Sequence, residues 1–274
     1  MNCIKAFKVL ALSLSIIFCL TAAAIGQDKP VYVLINYIKT DRNKGGAYVE
    51  LIKNYGSKIF QTRVNSGEIL SWSLYAVGMS TEDSEDYNFV GVTSSNSVKG
   101  LMESAVVPLE TLKKLMPGTP DKMMTDVLAT YGEVRQIKNG VILKLQDFIP
   151  STATRKTLEV NYMKVPAGKD ADYLKLEKEI FKPLHQERVN NGQITSWGCY
   201  AVMYPWSDSR PYNYITTNGF NDWDKMMSTD YAATYKKVFP KGDMTKLGAQ
   251  TSAARSMYKT EVWSFVTRVD ETTK

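Results

Sequence analysis

Histidine and cysteine are almost absent from this chain, with one His and three Cys in 274 residues. A His-Cys zinc site or a Cys-His nucleophile therefore has very little material to draw on. No carboxylate, cysteine or second histidine stands three or four residues from His185 to make a helical metal pair, so no metal site is expected. P-loop, dinucleotide-fingerprint and nucleophile-elbow patterns are missing as well. Beyond the first 26 residues no run is long and apolar enough to span a membrane. Lysines and arginines are spread along the chain rather than run together, which argues against a dedicated nucleic-acid surface.

The first 26 residues have a character of their own. Lys5 and Lys8 precede an apolar run from Val9 to Ala24, and small residues follow to Gly26. This is the layout of a secretory signal peptide, predicted over 1–26 with cleavage near Gly26–Gln27, and it implies a secreted or periplasmic protein. A retained membrane anchor is the alternative, but the apolar core is short for a spanning helix. Phe18 before Cys19 is too large for the usual lipid-attachment pattern. Removing the leader takes Cys3 and Cys19 with it and leaves Cys199 alone, so no internal disulfide is expected. Two lysines also leave, and the net charge falls from +6 to +4, a weak preference for anionic ligands at most. The remaining chain, roughly 250 residues, can bury one large core or two smaller ones.

What the chain has in place of catalytic motifs is a duplication. Gln61-Thr62-Arg63-Val64-Asn65-Ser66-Gly67-Glu68-Ile69-Leu70-Ser71-Trp72 returns as Gln186-Glu187-Arg188-Val189-Asn190-Asn191-Gly192-Gln193-Ile194-Thr195-Ser196-Trp197. The same offset of 125 residues joins Asn36 to Asn161, Tyr37 to Tyr162, Tyr48 to Tyr173, Tyr75 to Tyr200, Asp83 to Asp208 and Tyr87 to Tyr212, with no gap. Only the segment before the last strand of each copy differs in length.

Each copy reads β-α-β-β-α-β. In the first, Val31–Thr40 is a strand dense in β-branched and aromatic residues. Tyr48, Leu51, Tyr55 and Ile59 recur at helical spacing, and Gly67 after Arg63 fits a left-handed helix stop. Strands follow at Ile69–Met79 and Tyr87–Thr93, on either side of an acidic turn at Thr81–Asp86. Helical pieces broken at Pro108 and Pro117-Gly118 run to Gly140, and a fourth strand covers Val141–Ile149. The second copy gives strands at Leu158–Val165, Ile194–Tyr204, Tyr212–Phe220 and Thr260–Val269, with a helix over Ala171–Asn191 and helical material to about Ser256. The predicted division is 27–150 and 151–274, joined at Pro150–Arg155.

This order is the ferredoxin-like unit, with helices on one face of a four-stranded antiparallel sheet. Two bare sheet faces in one chain can bury each other. At this point the sequence resembles the dimeric α+β barrel superfamily, in which two ferredoxin-like units pack sheet to sheet. The resemblance covers nearly all of the chain after the leader and rests on element order and the repeat, not on a catalytic signature. It implies an α+β fold built as an intramolecular dimeric barrel, for which a monomer with an internal pseudo-dimer suffices. It constrains function less, because the superfamily holds cofactor-free monooxygenases, haem proteins, stress-responsive barrels and secreted proteins without known activity.

The candidate residues follow from the repeat. Most of the Arg-Val-Asn-x-Gly-x-Ile-x-Ser-Trp motif is explained by a helix end, a glycine stop and a strand start with a packed Trp. Asn36 and Asn161 stand mid-strand among apolar neighbours, where an amide either satisfies backbone or points into a polar cavity. Superfamily monooxygenases hold substrates with Asn, Trp, Tyr and Arg near the sheet. That resemblance implies Asn36, Trp72, Tyr75, Asn161, Trp197 and Tyr200 as ligand-binding candidates, with Arg63 and Arg188 nearby. Strand alternation puts Trp72 and Tyr75 on opposite faces, so they do not share one pocket.

His185 replaces Phe60 and is the candidate haem ligand or general base, against the plainer reading of a histidine near a helix end; Pro183 should also disturb its helix. The 16 Tyr and 5 Trp suit a cleft for flat or sugar-like ligands, and the loop Tyr204-Pro205-Trp206 with Arg210-Pro211-Tyr212 is a candidate ligand or partner contact. The leading expectation is a barrel that binds a small apolar or aromatic molecule between sheet and helices, without a cofactor. The alternatives are a cofactor-free monooxygenase, a haem-dependent enzyme, and an interaction module with no pocket.

Overall fold

Eight strands pair antiparallel into a closed barrel in the computed structural model, which describes residues 29–81, 86–102, 109–115, 117–151, 153, 155–228 and 230–272. The expected leader 1–26 and the middle of the acidic turn, Asp83 included, lie outside the described residues. The strands are β1 (Tyr32–Lys39), β2 (Ser71–Ser80), β3 (Phe89–Ser95), β4 (Gln136–Ile149), β5 (Thr157–Lys164), β6 (Ser196–Tyr204), β7 (Tyr214–Phe220) and β8 (Ser256–Asp270). Around the barrel the order is β4-β1-β3-β2-β8-β5-β7-β6, closing on β4. Strands of the first and second halves of the sequence meet at two seams, β2 with β8 and β4 with β6.

Alternation along each strand sorts side chains into two layers. Val33, Ile35 and Tyr37 of β1 join Tyr75, Val141, Val160, Tyr162 and Trp263 in one cluster that fills the barrel. The alternate residues face helices. In the first half Ile38, Trp72, Leu74 and Phe89 pack under Tyr48, Ile52 and Val64. In the second half Met163, Trp197, Cys199 and Tyr214 pack under Tyr173 and Val189. Among the described residues Cys199 is the one cysteine, free and buried, so core packing holds this shell together.

Over the first sheet face run α1 (Gly45–Leu51), a π-helical turn (Ile52–Gly56) and α2 (Ser57–Asn65) as one helical path. α3 (Val98–Met102), α4 (Leu109–Leu115) and α5 (Asp121–Val134) follow β3. The second face is covered by α6 (Asp170–Leu176), a π turn (Glu177–Phe181) and α7 (Lys182–Asn190). α8 (Trp223–Met227), α9 (Tyr231–Val238) and α10 (Met244–Ala254) complete it. Gly67 and Gly192 take φ of +72° and +71°, where L side chains are disfavoured, and so end α2 and α7 as expected.

Two boundaries differ from the sequence reading by four residues or more. β4 starts at Gln136 instead of Val141, and β8 at Ser256 instead of Thr260. The extra residues mix polar side chains with exposed Ile137, Met257 and Tyr258, and so do not read as a strand, yet they pair with β1 and β5 through Lys39↔Gln136 and Lys164↔Ser256. Nor is Pro183 the source of irregularity in its helix. The matching π turn of the first half occurs with Lys58 at that place, and Pro183 sits in the first turn of α7, where proline is tolerated.

Candidate functional site

A cavity of about 580 Å3 lies between the outer sheet face of the first half and its helices. Its floor is Asn36 and Ile38 from β1, Trp72 from β2, Gly91 and Thr93 from β3, and Gln136–Ile137 at the start of β4. Its roof comes from Tyr48, Ile52, Gly56, Ile59 and Phe60 on the helical path and from Leu128, Tyr131, Gly132 and Arg135 at the end of α5. Phe60 stacks on Trp72 with ring centroids 4.2 Å apart and planes 5° from parallel, a flat aromatic wall. Gly91 keeps the floor open. A Cβ there would meet no atom closer than 3.5 Å, so the glycine adds volume without relieving a clash. Gly56 is different, because a Cβ would stand 2.6 Å from the Tyr131 hydroxyl.

The polar groups of this cavity are few. Tyr131 donates its hydroxyl to the Leu51 carbonyl at 3.1 Å, and burial raises its pKa. Burial also pushes the Tyr48 phenol up to about 12, so both are neutral donors at ordinary pH. Arg135 lies over the Tyr131 ring at 5.6 Å, and its Nε is buried with no hydrogen-bond partner among the described residues. The Asn36 amide lines the cavity and makes no hydrogen bond to the described residues. Its strand partners are Gly91 and Gly140, neither of which has a side chain to meet it.

In the second half the equivalent space is filled. Phe181 stands for Gly56, Glu177 for Ile52, Thr216 for Gly91 and Asn218 for Thr93. Opposite Asn161, in register, stands Thr260 where β4 has Gly140, and its hydroxyl donates to Asn161 Oδ1 at 2.8 Å. The same asparagine thus bonds to protein in one half and is left open to the cavity in the other.

The sequence candidates separate accordingly. Asn36 and Trp72 come together on the cavity floor. Asn161 and Trp197 belong to the packed second half, and Tyr75 and Tyr200 point into the barrel, so these four do not line the cavity.

His185 is 6 % exposed, stacked on Trp197 at 5.5 Å, with Nδ1 3.1 Å from an Arg188 guanidinium nitrogen. Arginine can only donate, so Nδ1 is the acceptor and the proton of the neutral ring sits on Nε2. Burial, then the Arg188 charge, hold its pKa down to about 3. In this tautomer neither nitrogen offers a free lone pair to iron or to a substrate proton.

Arg63 and Arg188 are structural clamps. Arg63 pairs with Glu68 and donates to the Gly100 carbonyl at 2.9 Å, while Arg188 donates to Tyr231 at 2.7 Å. Sequence reasoning missed the cavity roles of Arg135, Tyr131, Tyr48, Gly56, Gly91 and Gly140. The signal available was the pairing of Gly56 and Gly91 with larger residues 125 positions later.

No family model matches the chain, and no curated protein resembles it in sequence. Similarity to solved structures is extensive in coverage and low in identity. A proposed monooxygenase from Lactobacillus acidophilus NCFM is 9 % identical, with 89 % of this chain and 97 % of that chain covered at a TM-score of 0.52. A proposed monooxygenase from Fusobacterium nucleatum subsp. nucleatum ATCC 25586 is 12 % identical, with 89 % and 95 % covered at 0.51. An anthrone oxidase-like protein is 10 % identical, with 90 % and 96 % covered at 0.51. At such identities the likeness speaks for the fold alone: the chain has the dimeric α+β barrel fold, an eight-stranded antiparallel barrel with helices outside.

Proposed function

We propose that this chain binds a small, flat, mostly apolar molecule with one hydrogen-bonding or anionic oxygen, in the cavity of its first half. The observation that carries the reading is the contrast between Asn36 beside Gly140 and Asn161 beside Thr260. An amide that faces a cavity without a protein partner has its donors and acceptor free for a ligand. The stacked Phe60 and Trp72 rings suit a planar ligand, and the Arg135 guanidinium supplies the positive charge for its oxygen. The test is native mass spectrometry of protein purified from its own host, before and after denaturation, beside a Gly91→Leu variant. A mass excess lost on denaturation and absent from Gly91→Leu is the expected result. No excess, or an equal excess in the variant, would sink the reading.

A second reading, a cofactor-free oxygenase, is favoured by Arg135 together with the shared fold of proteins described as monooxygenases and as anthrone oxidase-like. Among the described residues the cavity lining contains no carboxylate or imidazole. A substrate there must be acidic enough to ionise without a protein base, with Arg135 holding its anion. Oxygen consumption with the ligand released by denaturation, and its loss in Arg135→Met, would separate enzyme from binder. Haem fits less well. Among the described residues the lining gives iron no imidazole, thiolate or thioether, burial keeps its phenols Tyr48 and Tyr131 protonated, and the sole histidine lies outside it with Nδ1 engaged by Arg188.

The same proposal takes the chain as two ferredoxin-like units in tandem, exported behind a 1–26 leader and monomeric. The 125-residue offset supports the first, together with the run β4-β1-β3-β2 followed by β8-β5-β7-β6 around the barrel. The layout of residues 1–26 supports the second, and barrel closure within one chain supports the third. N-terminal sequencing of protein from the host's envelope or medium, and its sedimentation coefficient, test both export and state.

A further inference from the structure

We propose that one end of the barrel is a second, separate binding site, which takes a neutral polyhydroxylated ring of the sugar type. A pocket of about 340 Å3 opens there, within the usual range of roughly 300–1,000 Å3 for small-molecule sites. Tyr37, Tyr87, Tyr212 and Tyr258 line it, with Lys138 and Lys259. The end of β1, the starts of β4 and β8, and the loops after β2 and β6 converge on it. Tyr37 and Tyr162 are equivalent residues of the two halves, and their hydroxyls meet 3.3 Å apart. Two residues break this symmetry. Glu261 occupies the place of Val141 and Lys259 that of Asn139.

Glu261 is 0 % exposed, inside a barrel otherwise filled with apolar and aromatic side chains. A buried carboxylate is tolerable only when its lone pairs are filled. Here Tyr87 and Tyr162 donate their hydroxyls, Trp263 its indole N–H at 2.9 Å, and Lys259 its ammonium at 2.9 Å. These bonds fix the direction of every hydroxyl around them. Tyr162 spends its one proton on Glu261 at 2.8 Å, so Tyr37 donates to Tyr162. With the Tyr37 proton spent, Tyr212 donates to Tyr37 at 3.5 Å and accepts from Arg210 at 3.1 Å. Tyr87 accepts from Lys259 at 2.8 Å.

The protons of Tyr87 and Tyr162 go to Glu261, that of Tyr37 to Tyr162 and that of Tyr212 to Tyr37, so toward a ligand these hydroxyls can only accept. Asp86 adds another acceptor at the rim. Lys138 and Asn139 add donors to the same lining, so what enters must both donate and accept hydrogen bonds. A cation would meet Lys138 and Lys259, and an anion would meet acceptor oxygens and Asp86. A neutral polyol avoids both conflicts, with its C–H face laid on the exposed ring of Tyr258, which is nearly parallel to Tyr212 at 19° and 6.3 Å between centroids.

Saturation-transfer NMR on the full chain tests this, with methyl α-glucoside, methyl β-galactoside and N-acetylglucosamine as probes at millimolar concentration. Inorganic phosphate and choline serve as charged controls, followed through amide shifts. Transfer to the ring C–H protons of at least one sugar is expected. It should weaken about tenfold in Tyr258→Ala, an exposed position, and persist in Gly91→Leu, whose change is in the other cavity. The proposal is overturned if no sugar shows transfer, if transfer is unchanged in Tyr258→Ala, or if only phosphate or choline moves the amides around Tyr258 and Lys138.

Discussion

At position 140 one side chain decides what an asparagine does. Gly140 leaves the Asn36 amide facing the cavity, whereas Thr260 caps Asn161 in the other half. A Cβ at Gly140 would stand 3.2 Å from Asn36 Oδ1 and 3.8 Å from Leu34 Cδ1, a tight fit that a small side-chain shift absorbs. Gly140→Thr should therefore keep the melting temperature within a few degrees and abolish the ligand mass excess, read by thermal denaturation and native mass spectrometry on the same sample. Lys259→Met should act on stability. It leaves Glu261 buried without its cation, and urea unfolding should show a loss of about 3–5 kcal/mol. Neither position stood out in the sequence, because Gly140 and Lys259 lie in polar stretches without strand alternation, and their roles come from what the register sets opposite them.

Elements were more legible than side chains. Density in β-branched and aromatic residues marked the strands, and a glycine after an arginine marked the ends of α2 and α7, because residue propensity and φ are local properties that one sequence carries. The π turns at Ile52–Gly56 and Glu177–Phe181 were not legible, since the apolar spacing runs through them and one extra residue per turn hardly disturbs it. The first of them matters to the cavity, for it places Gly56 under Tyr131 and keeps the roof thin. Helix starts after β7 rest on aspartates. Asp222, Asp230 and Asp243 each accept a backbone N–H of the following helix, and Asp243 accepts two, from Thr245 and Lys246. Asp243→Ala should cost about 1 kcal/mol in chemical denaturation with little effect on either binding site, whereas a larger loss would mean that α10 holds the barrel together.

For the molecule as a whole, the 125-residue offset in the sequence leads us to expect a pair of similar layers, and the two layers turn out unequal: one holds a cavity and the other holds buried ionisable groups. That inequality has a signature in the pH dependence of stability. Burial pushes the Glu177 carboxyl up from 4.5 to about 7, so the stability it confers is full below pH 4.5 and is lost as pH rises to 7. At 1.36 kcal/mol per unit this amounts to roughly 3 kcal/mol. His185 works in the opposite sense. Its pKa is held down from 6.5 to about 3, so its contribution is present above pH 6.5 and is lost as pH falls toward 3. Between pH 4.5 and 6.5 the unfolded chain gains a proton on His185 while the folded chain keeps one on Glu177, and the two slopes cancel. Replacing either group should expose the other. Glu177→Gln should become more stable as pH rises from 4.5 to 6.5, relative to the unsubstituted chain. His185→Phe, which copies Phe60 of the first half, should become less stable over the same span. Urea unfolding at several pH values reads both slopes, whatever each substitution does to absolute stability. Parallel curves for all three proteins would mean that neither group titrates differently on folding, and that the second layer is wetter than its packing indicates.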